Sequence, residues 1–299
     1  MSPVTEQVTE PATLREAVRA ATRVLADAGV EAAEHDAVAL AAHACGQSVA
    51  DVRRAMVLGA PVPPRLEALV EQRALRIPLQ HLTGRQAFRR LELSVGPGVF
   101  VPRPETEMVA GLAIEAAHEV AQRSGTEPVV VDLCSGSGAI AFSVKDEEPR
   151  SHVHAVEIDD AAFAWLERNC DELGLDVELH HEDATRALIG LDGRVDVVVS
   201  NPPYIPTSAE PKDPEVRDHD PRIALYGGSA DGLAIPRLVA ARAATLLRVG
   251  GVLVMEHADV QGASLPTALH ASGSWSRIQD HHDLAGRPRA VVAVRSAED

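Results

Sequence analysis

The chain reads as an α/β protein: a parallel sheet with helices on both faces and a final antiparallel strand pair. A small all-helical region and a β-hairpin connector precede the sheet. Three observations predict this. From Pro128 onward, short apolar β-branched runs alternate with helical stretches, the order that builds a parallel sheet covered on both sides. The last two runs, residues 275–279 and 289–294, lie close together and are joined through Gly286-Arg287-Pro288, which suits a hairpin. Before about residue 78 the apolar spacing is helical, and it alternates only between Pro78 and Pro104.

Residues 1–11 read as disordered. Thr13-Leu14-Arg15-Glu16 is a capping box, and Leu14, Val18, Ala21 and Leu25 follow at helical spacing up to Gly29. Residues 31–45 repeat the pattern through Val38, Leu40 and Ala41 until Gly46 stops it. Ser48-Val49-Ala50-Asp51 caps a third short helix, and Pro63-Pro64 opens a fourth that runs to about Ile77. In the connector Phe88, Leu91, Leu93 and Val95 alternate. Gly96-Pro97-Gly98 is the expected turn and Val99-Phe100-Val101 the returning strand. Pro102-Arg103-Pro104 holds Arg103 extended. A capped helix with acids in its first turn is expected from Thr106 to about Gln122. The expected domains are therefore 1–80, helical; 81–105, connector; and 106–299, the sheet.

Within the sheet region strands are expected at 129–133, 153–158, 177–180, 195–200 and 252–256. Helices are expected from 139, over 160–173 and 231–247, and near 265–271. Residues 205–230 are irregular and rich in Pro, Asp and Glu, which suits a lid or binding element, or a disordered segment.

Composition narrows the function. With 28 Lys and Arg against 44 Asp and Glu, the formal net charge is −16, the wrong sign for gripping phosphates as a main activity. A basic protein partner would be attracted. Cys45, Cys134 and Cys170 form no CxxC pair, and their odd number suits a reducing compartment. The first ten residues show no signal pattern, and no apolar run approaches a membrane span of about 20 residues. A cytoplasmic protein, without membrane or direct nucleic-acid partner, is expected. The pairs His180-His181 and His281-His282 lack Cys/His metal spacing, and neighbours on a strand face opposite ways, so no metal is expected.

The chemistry is expected at Asn201-Pro202-Pro203-Tyr204, straight after the apolar run 195–200. Two prolines stop that strand and stiffen its exit, at the sheet edge where ligands of open α/β sheets bind. The Asn201 oxygen and the Pro202 carbonyl can accept an NH2 group, and the Tyr204 ring can stack on the flat group carrying it. A second constellation is the strand-to-helix loop Cys134-Ser135-Gly136-Ser137-Gly138. Its glycines allow close approach of a ligand, and the helix start offers free N–H groups. It lacks the third glycine of the dinucleotide fingerprint and the Lys of a P-loop. Glu157, at the second strand's end, is placed for the hydroxyls of a ribose, and Asp183, after the third, for an adenine amine. A nicotinamide-dependent enzyme stays possible on these features, until Asn-Pro-Pro-Tyr is added. Cys134 beside a helix start could have a lowered pKa. Loop packing is nonetheless its expected role.

In this order, these motifs resemble the S-adenosylmethionine-dependent methyltransferases. Asn-Pro-Pro-Tyr among them marks enzymes acting on planar-conjugated nitrogen. Pro78-Leu79-Gln80-His81-Leu82-Thr83-Gly84, Phe100-Val101-Pro102-Arg103-Pro104-Glu105-Thr106-Glu107, Asp220-Pro221-Arg222-Ile223-Ala224-Leu225 with Gly227-Gly228, and Asp283-Leu284-Ala285-Gly286-Arg287 are similar to the release factor glutamine methyltransferase family (PrmC/HemK), from about residue 12 to 295. The resemblance implies a Rossmann-like seven-stranded sheet and S-adenosylmethionine bound by Cys134, Ser135, Gly136, Ser137, Gly138, Glu157, Asp183, Ala184 and Asn201. It implies methylation of the Gly-Gly-Gln glutamine of release factors, by a monomer whose helical region docks the factor. Asn201, Pro202 and Tyr204 would be catalytic, and Pro203, Arg103 and Glu105, with Thr106, would help line the substrate site. Cys134 stands where members often have Gly, Met255-Glu256-His257-Ala258 replaces a more usual Glu-Ile-Gly, and Ala184 replaces an aromatic of some members. The alternatives are an amino-methylating nucleic-acid enzyme, which needs a basic groove the charge does not supply, and an idle cofactor-binding scaffold.

Overall fold

The computed structural model describes residues 13–297; the segment 1–11 expected to be disordered lies outside them. The chain forms two compact units, one of residues 13–84 with Asp213–His219, the other of Arg85–Lys212 with residues 220–297.

The first unit is helical: α1 (Leu14–Asp27), α2 (Ala33–Cys45), α3 (Val49–Val57), α4 (Leu66–Ala74) and α5 (Leu79–Thr83). The Thr13/Glu16 capping box satisfies the first free N–H groups of α1, and the Ser48 hydroxyl does so for α3. Leu14, Val18, Leu25, Leu40, Val52 and Leu66 are buried in one core. The fourth helix ends three residues before the expected Ile77, because Arg76 takes a left-handed conformation at φ 65°. A segment from the long loop also belongs here. Its Glu215 accepts from Arg73 Nη1 at 2.6 Å, from Arg76 Nε at 2.7 Å and from Arg76 Nη2 at 2.5 Å, while Arg73 Nε donates to buried Asp36 at 2.8 Å.

In the second unit a hairpin comes first, β1 (Arg85–Phe88) with β2 (Leu91–Ser94). Its turn is Arg89-Arg90, not Gly96-Pro97-Gly98, and residues 99–101 form no strand. Arg89 is held at φ 52° by a bidentate pair with Glu147 at 2.5 and 2.9 Å and by its N–H to Glu107, contacts the local sequence does not advertise. Helix α6 (Thr106–Ser124) has no side-chain cap, against expectation, because its N-cap is Glu105, which is already αR and makes no cap bond.

The sheet follows with β3 (Val129–Leu133), α7 (Ala139–Glu147), β4 (His152–Glu157), α8 (Asp160–Leu173), β5 (Val177–His181) and β6 (Val195–Ser200). The loop segment then forms α9 (Pro214–His219) and α10 (Arg222–Leu225), so 205–230 is structured. The chain closes with α11 (Ala234–Leu246), β7 (Leu247–Glu256), α12 (Ser264–Ala271), β8 (Trp275–His282) and β9 (Pro288–Arg295). Strand order is β5-β4-β3-β6-β7-β9-β8, parallel except that β9 runs against both its neighbours. The expected seven strands and antiparallel end are there. Alternate residues feed two cores: Val130, Val153 and Val197 meet Val109, Phe142 and Leu166 on one face. Val131, Val156 and Val198 meet Val239, Ala243 and Leu265 on the other.

Candidate active site

The sheet grows one way from β3 through β4 to β5 and the other way through β6 and β7. The reversal at β3 and β6 opens a crevice at their C-terminal ends. Both predicted motifs leave the sheet there. Leu133 pairs with Ser200 in register, and the Ser200 hydroxyl donates to the Leu133 carbonyl at 2.6 Å, so the two loops start side by side.

The first loop is held by bonds on every side. The Ser135 N–H donates to the Val156 carbonyl at 2.9 Å, and its hydroxyl donates to the Asp132 carbonyl at 2.9 Å. Gly138 sits at φ 87°, where an added Cβ would lie 2.1 Å from the buried Phe142 ring. Fully buried Asn169 on α8 bonds the Ser137 carbonyl and both backbone groups of Ser94, pinning the loop to the hairpin. Cys134 takes φ 67°, where an L side chain costs about 1–2 kcal/mol; this explains the glycine the family resemblance expects. Burial, with the Glu157 and Asp132 charges, pushes its thiol pKa up rather than down, so Cys134 is no activated nucleophile.

Around the loop the strand ends offer acceptors. Glu157 takes the N–H groups of Gly136, Ile158 and Asp159 at 2.8, 2.8 and 2.9 Å; burial raises its pKa, and these bonds work against the rise. Asp183 accepts from the Thr185 N–H at 2.9 Å and hydroxyl at 2.7 Å, which lowers its pKa, and Ala184 is buried beside it. Asp132 is fully buried with Oδ2 accepting from the Ala141 N–H at 3.2 Å and Oδ1 without a protein partner; burial pushes it up to about 7. A ligand bringing an ammonium group, a ribose diol and an amino-purine supplies the donors this rim lacks, so the residues fit S-adenosylmethionine.

The second loop is anchored by a network that the sequence does not reveal. Asn201 Nδ2 donates to Thr106 Oγ1 at 3.4 Å, leaving the side-chain oxygen to accept from a ligand. The Thr106 hydroxyl bonds Glu256, and the Tyr204 hydroxyl donates to Glu256 Oε1 at 3.2 Å. Glu256 Oε2 is buried without a partner in the protein, and burial, ahead of the favourable Thr106, Arg289 and Tyr204 contacts, raises this carboxyl to about 7. Burial and the Glu256 charge push the Tyr204 phenol up as well. Buried Gln261 donates to the Tyr204 carbonyl at 2.9 Å. Gly232 packs so tightly below that a Cβ there would lie 2.1 Å from that same oxygen. Pro202 and Pro203 are buried.

Thr106, on α6, and Glu256, at the end of β7, thus join Asn201 and Tyr204 in one cluster. Arg103 is turned to another use. Its Nη2 donates to the buried Asp220 carboxylate at 2.6 Å and its guanidinium lies 5.0 Å from the Phe100 ring centre, so it clamps the loop that follows the motif. Glu105 Oε1 lies 3.6 Å from Arg287 Nη2 at the β8–β9 tip, where Arg287 also bonds Asp283.

The PrmC N-terminal domain family matches residues 16–84, and the methyltransferase small domain family matches residues 113–213. The chain is 50% identical over 280 residues to a release factor glutamine methyltransferase of Streptomyces coelicolor, covering 93% of this chain and 97% of that one. It is 40% identical over 266 residues to the 4-amino-L-phenylalanine/4-methylamino-L-phenylalanine methyltransferase of Streptomyces pristinaespiralis, covering 88% and 89%. Among solved structures, the catalytic domain of hMettl16 in complex with a MAT2A 3′UTR hairpin superposes with a TM-score of 0.52 at 14% identity, over 77% of this chain and 82% of that one; the likeness is one of fold. Among the described residues no helix is long and apolar enough to cross a membrane.

Proposed function

Because the chain belongs to the release factor glutamine methyltransferase family, we propose that it methylates the side-chain amide nitrogen (N5) of the glutamine in the Gly-Gly-Gln motif of peptide chain release factors, using S-adenosylmethionine. The observation that carries this reading is the orientation of Asn201. Thr106 takes one of its N–H bonds, Glu256 holds both Thr106 and the Tyr204 hydroxyl, and the Asn201 oxygen remains as an acceptor.

An amide nitrogen is a poor nucleophile because its lone pair is shared with the carbonyl. Acceptance of its two N–H bonds by Asn201 Oδ1 and the Pro202 carbonyl would turn the lone pair outward and stabilise positive charge growing on nitrogen. Tyr204 would cover the amide and exclude water. A glutamate in the same place would set lone pairs against lone pairs and be rejected. S-Adenosylmethionine supplies a methyl group on positively charged sulfur, open to direct in-line displacement. The residues that would hold it are Ser135–Gly138, Asp132, Glu157 and Asp183. The N-methylated amide then sheds a proton to solvent, so no side chain need act as a base of tuned pKa. The helical unit is read as the docking surface for the factor, and the protein as a cytoplasmic monomer.

The Streptomyces pristinaespiralis relative supports a second reading, a free aromatic amine as substrate. Incubation with isotope-labelled cofactor and release factor, a Gln→Ala release factor, 4-amino-L-phenylalanine, or DNA separates the readings by mass spectrometry. Label on the Gly-Gly-Gln glutamine alone is expected. Label on the amine or the DNA, with none on the factor, would overturn the proposal.

A further inference from the structure

On β4 and β5, away from the crevice, three side chains converge that the reaction does not use. His154 and Glu178 are direct cross-strand partners, and His180 lies two residues beyond Glu178, so all three share one face of the sheet. We propose that His154, Glu178 and His180 bind a divalent transition-metal ion of the zinc class, which clips edge strand β5 to β4.

The distances carry this. His154 Nδ1 lies 3.1 Å from His180 Nε2 and 3.5 Å from Glu178 Oε2, and the three donor atoms all fall within 4.8 Å of one another. Metal bonds of about 2.0–2.1 Å in a tetrahedron place neighbouring donor atoms about 3.3–3.4 Å apart, which the two separations from His154 Nδ1 bracket. An isolated hydrogen bond needs only two of the three groups; aiming a second imidazole and a carboxylate at the same ring nitrogen is what a cation requires. Two imidazoles and one carboxylate select zinc, copper or nickel over magnesium or calcium. Three protein ligands leave a fourth position for water.

The neighbourhood supports the assignment. His154 is buried while Glu178 is exposed, so an ion can enter from solvent and end on a rigid ligand. The other nearby histidines are engaged elsewhere. His152 Nε2 pairs with Glu127 at 2.7 Å, and His181 contacts the Ile158 carbonyl and stacks on Phe163. Among the described residues strand β5 has only β4 beside it, so it gains most from a cross-link. His154 lies three residues before Glu157, and His180 three before Asp183. A clip here would therefore hold the spacing of the two acids at the crevice. The adjacent-residue pairs of the sequence conceal this cluster, since His154 comes from a separate strand.

The test uses the full, tag-free chain, stripped with a chelator and dialysed against buffered Zn2+ or Co2+. It is compared with a His154→Gln/His180→Gln double variant and with Glu178→Gln, whose exposed position leaves the fold undisturbed. Elemental analysis is expected to find about one zinc per chain in the wild type and under about a tenth in the double variant. Glu178→Gln should bind at least about tenfold more weakly. The cobalt form should show the visible absorption of a tetrahedral site. Equal zinc in the wild type and both variants, or a wild type that keeps no zinc and melts at the same temperature with and without it, would overturn the proposal.

Discussion

Glu256→Gln tests the carboxylate at the centre of the site. In the folded protein burial lifts this carboxyl from 4.5 to about 7. Holding it ionised therefore costs about 3 kcal/mol relative to the unfolded chain. The folded state binds the proton more tightly, so this contribution is fully present below about 4.5, is lost as pH rises to about 7, and is flat above. The neutral amide of the variant has no proton to lose. Its stability relative to the wild type should improve by about 3 kcal/mol between about pH 4.5 and pH 8. Asp132, also lifted to about 7, adds the same slope to both proteins and cancels in the difference. Urea unfolding of the cofactor-free proteins at the two pH values, followed by tryptophan fluorescence, measures this. The two tryptophans, Trp165 and Trp275, both lie in the sheet unit, so the signal reports the unit that holds Glu256. A gap between variant and wild type that is the same at both pH values would show that the carboxyl is not held protonated by burial.

Asn201→Ala should lower kcat by about 10²–10³-fold, with a much smaller loss of cofactor affinity, measured by initial rates and calorimetry, while Asn201→Asp keeps part of the activity. Thr106→Val removes the hydroxyl that orients Asn201 and should cost about 10–100-fold in kcat with little change in KM; Thr106→Ser should restore most of it. Gly138→Ala forces a left-handed alanine into the Phe142 ring and Leu166. It should destabilise the sheet unit by about 2–4 kcal/mol in chemical unfolding and weaken cofactor binding. Glu215→Gln leaves Arg73 and Arg76 facing a neutral amide and should destabilise the helical unit by about 3 kcal/mol, read by hydrogen exchange in α1 and α4. Burial opposes ionisation of Glu215, but bonds from Arg76 and Arg73 hold its pKa well below the usual carboxylate value. Its contribution should therefore survive mild acid and fail only in strong acid.

Strands β3 and β6 were legible because burial on both faces demands unbroken apolar runs, and their following loops because glycine and proline carry their own geometry. The acids Glu157 and Asp183 could be placed by counting from strand ends. What could not be read was any contact made across the chain. Thr106 could be placed at the helix start and near the site, but its bonds to residues 201 and 256 exist only once α6 lies beside β6 and β7. Gly96-Pro97-Gly98 outweighed Arg89-Arg90 as a turn because its signal is local, whereas the Arg89 conformation depends on Glu147, 58 positions away. The two flanking prolines show that Arg103 is held extended, but not that its partner is Asp220, 117 positions away.

The path of the chain through α9 bears on how such a protein can be cut or recombined. After the Asn-Pro-Pro-Tyr strand exit, the polypeptide leaves the sheet unit, contributes Glu215 to the helical one, and returns at Asp220. A fragment ending at Gly84 would keep Asp36 for Arg73 but lose Glu215, which Arg73 and Arg76 share, and one starting at Arg85 would carry a dangling strap. Swapping the helical part between relatives would succeed only if residues 213–219 travelled with it, so the two pieces are bound to be inherited together.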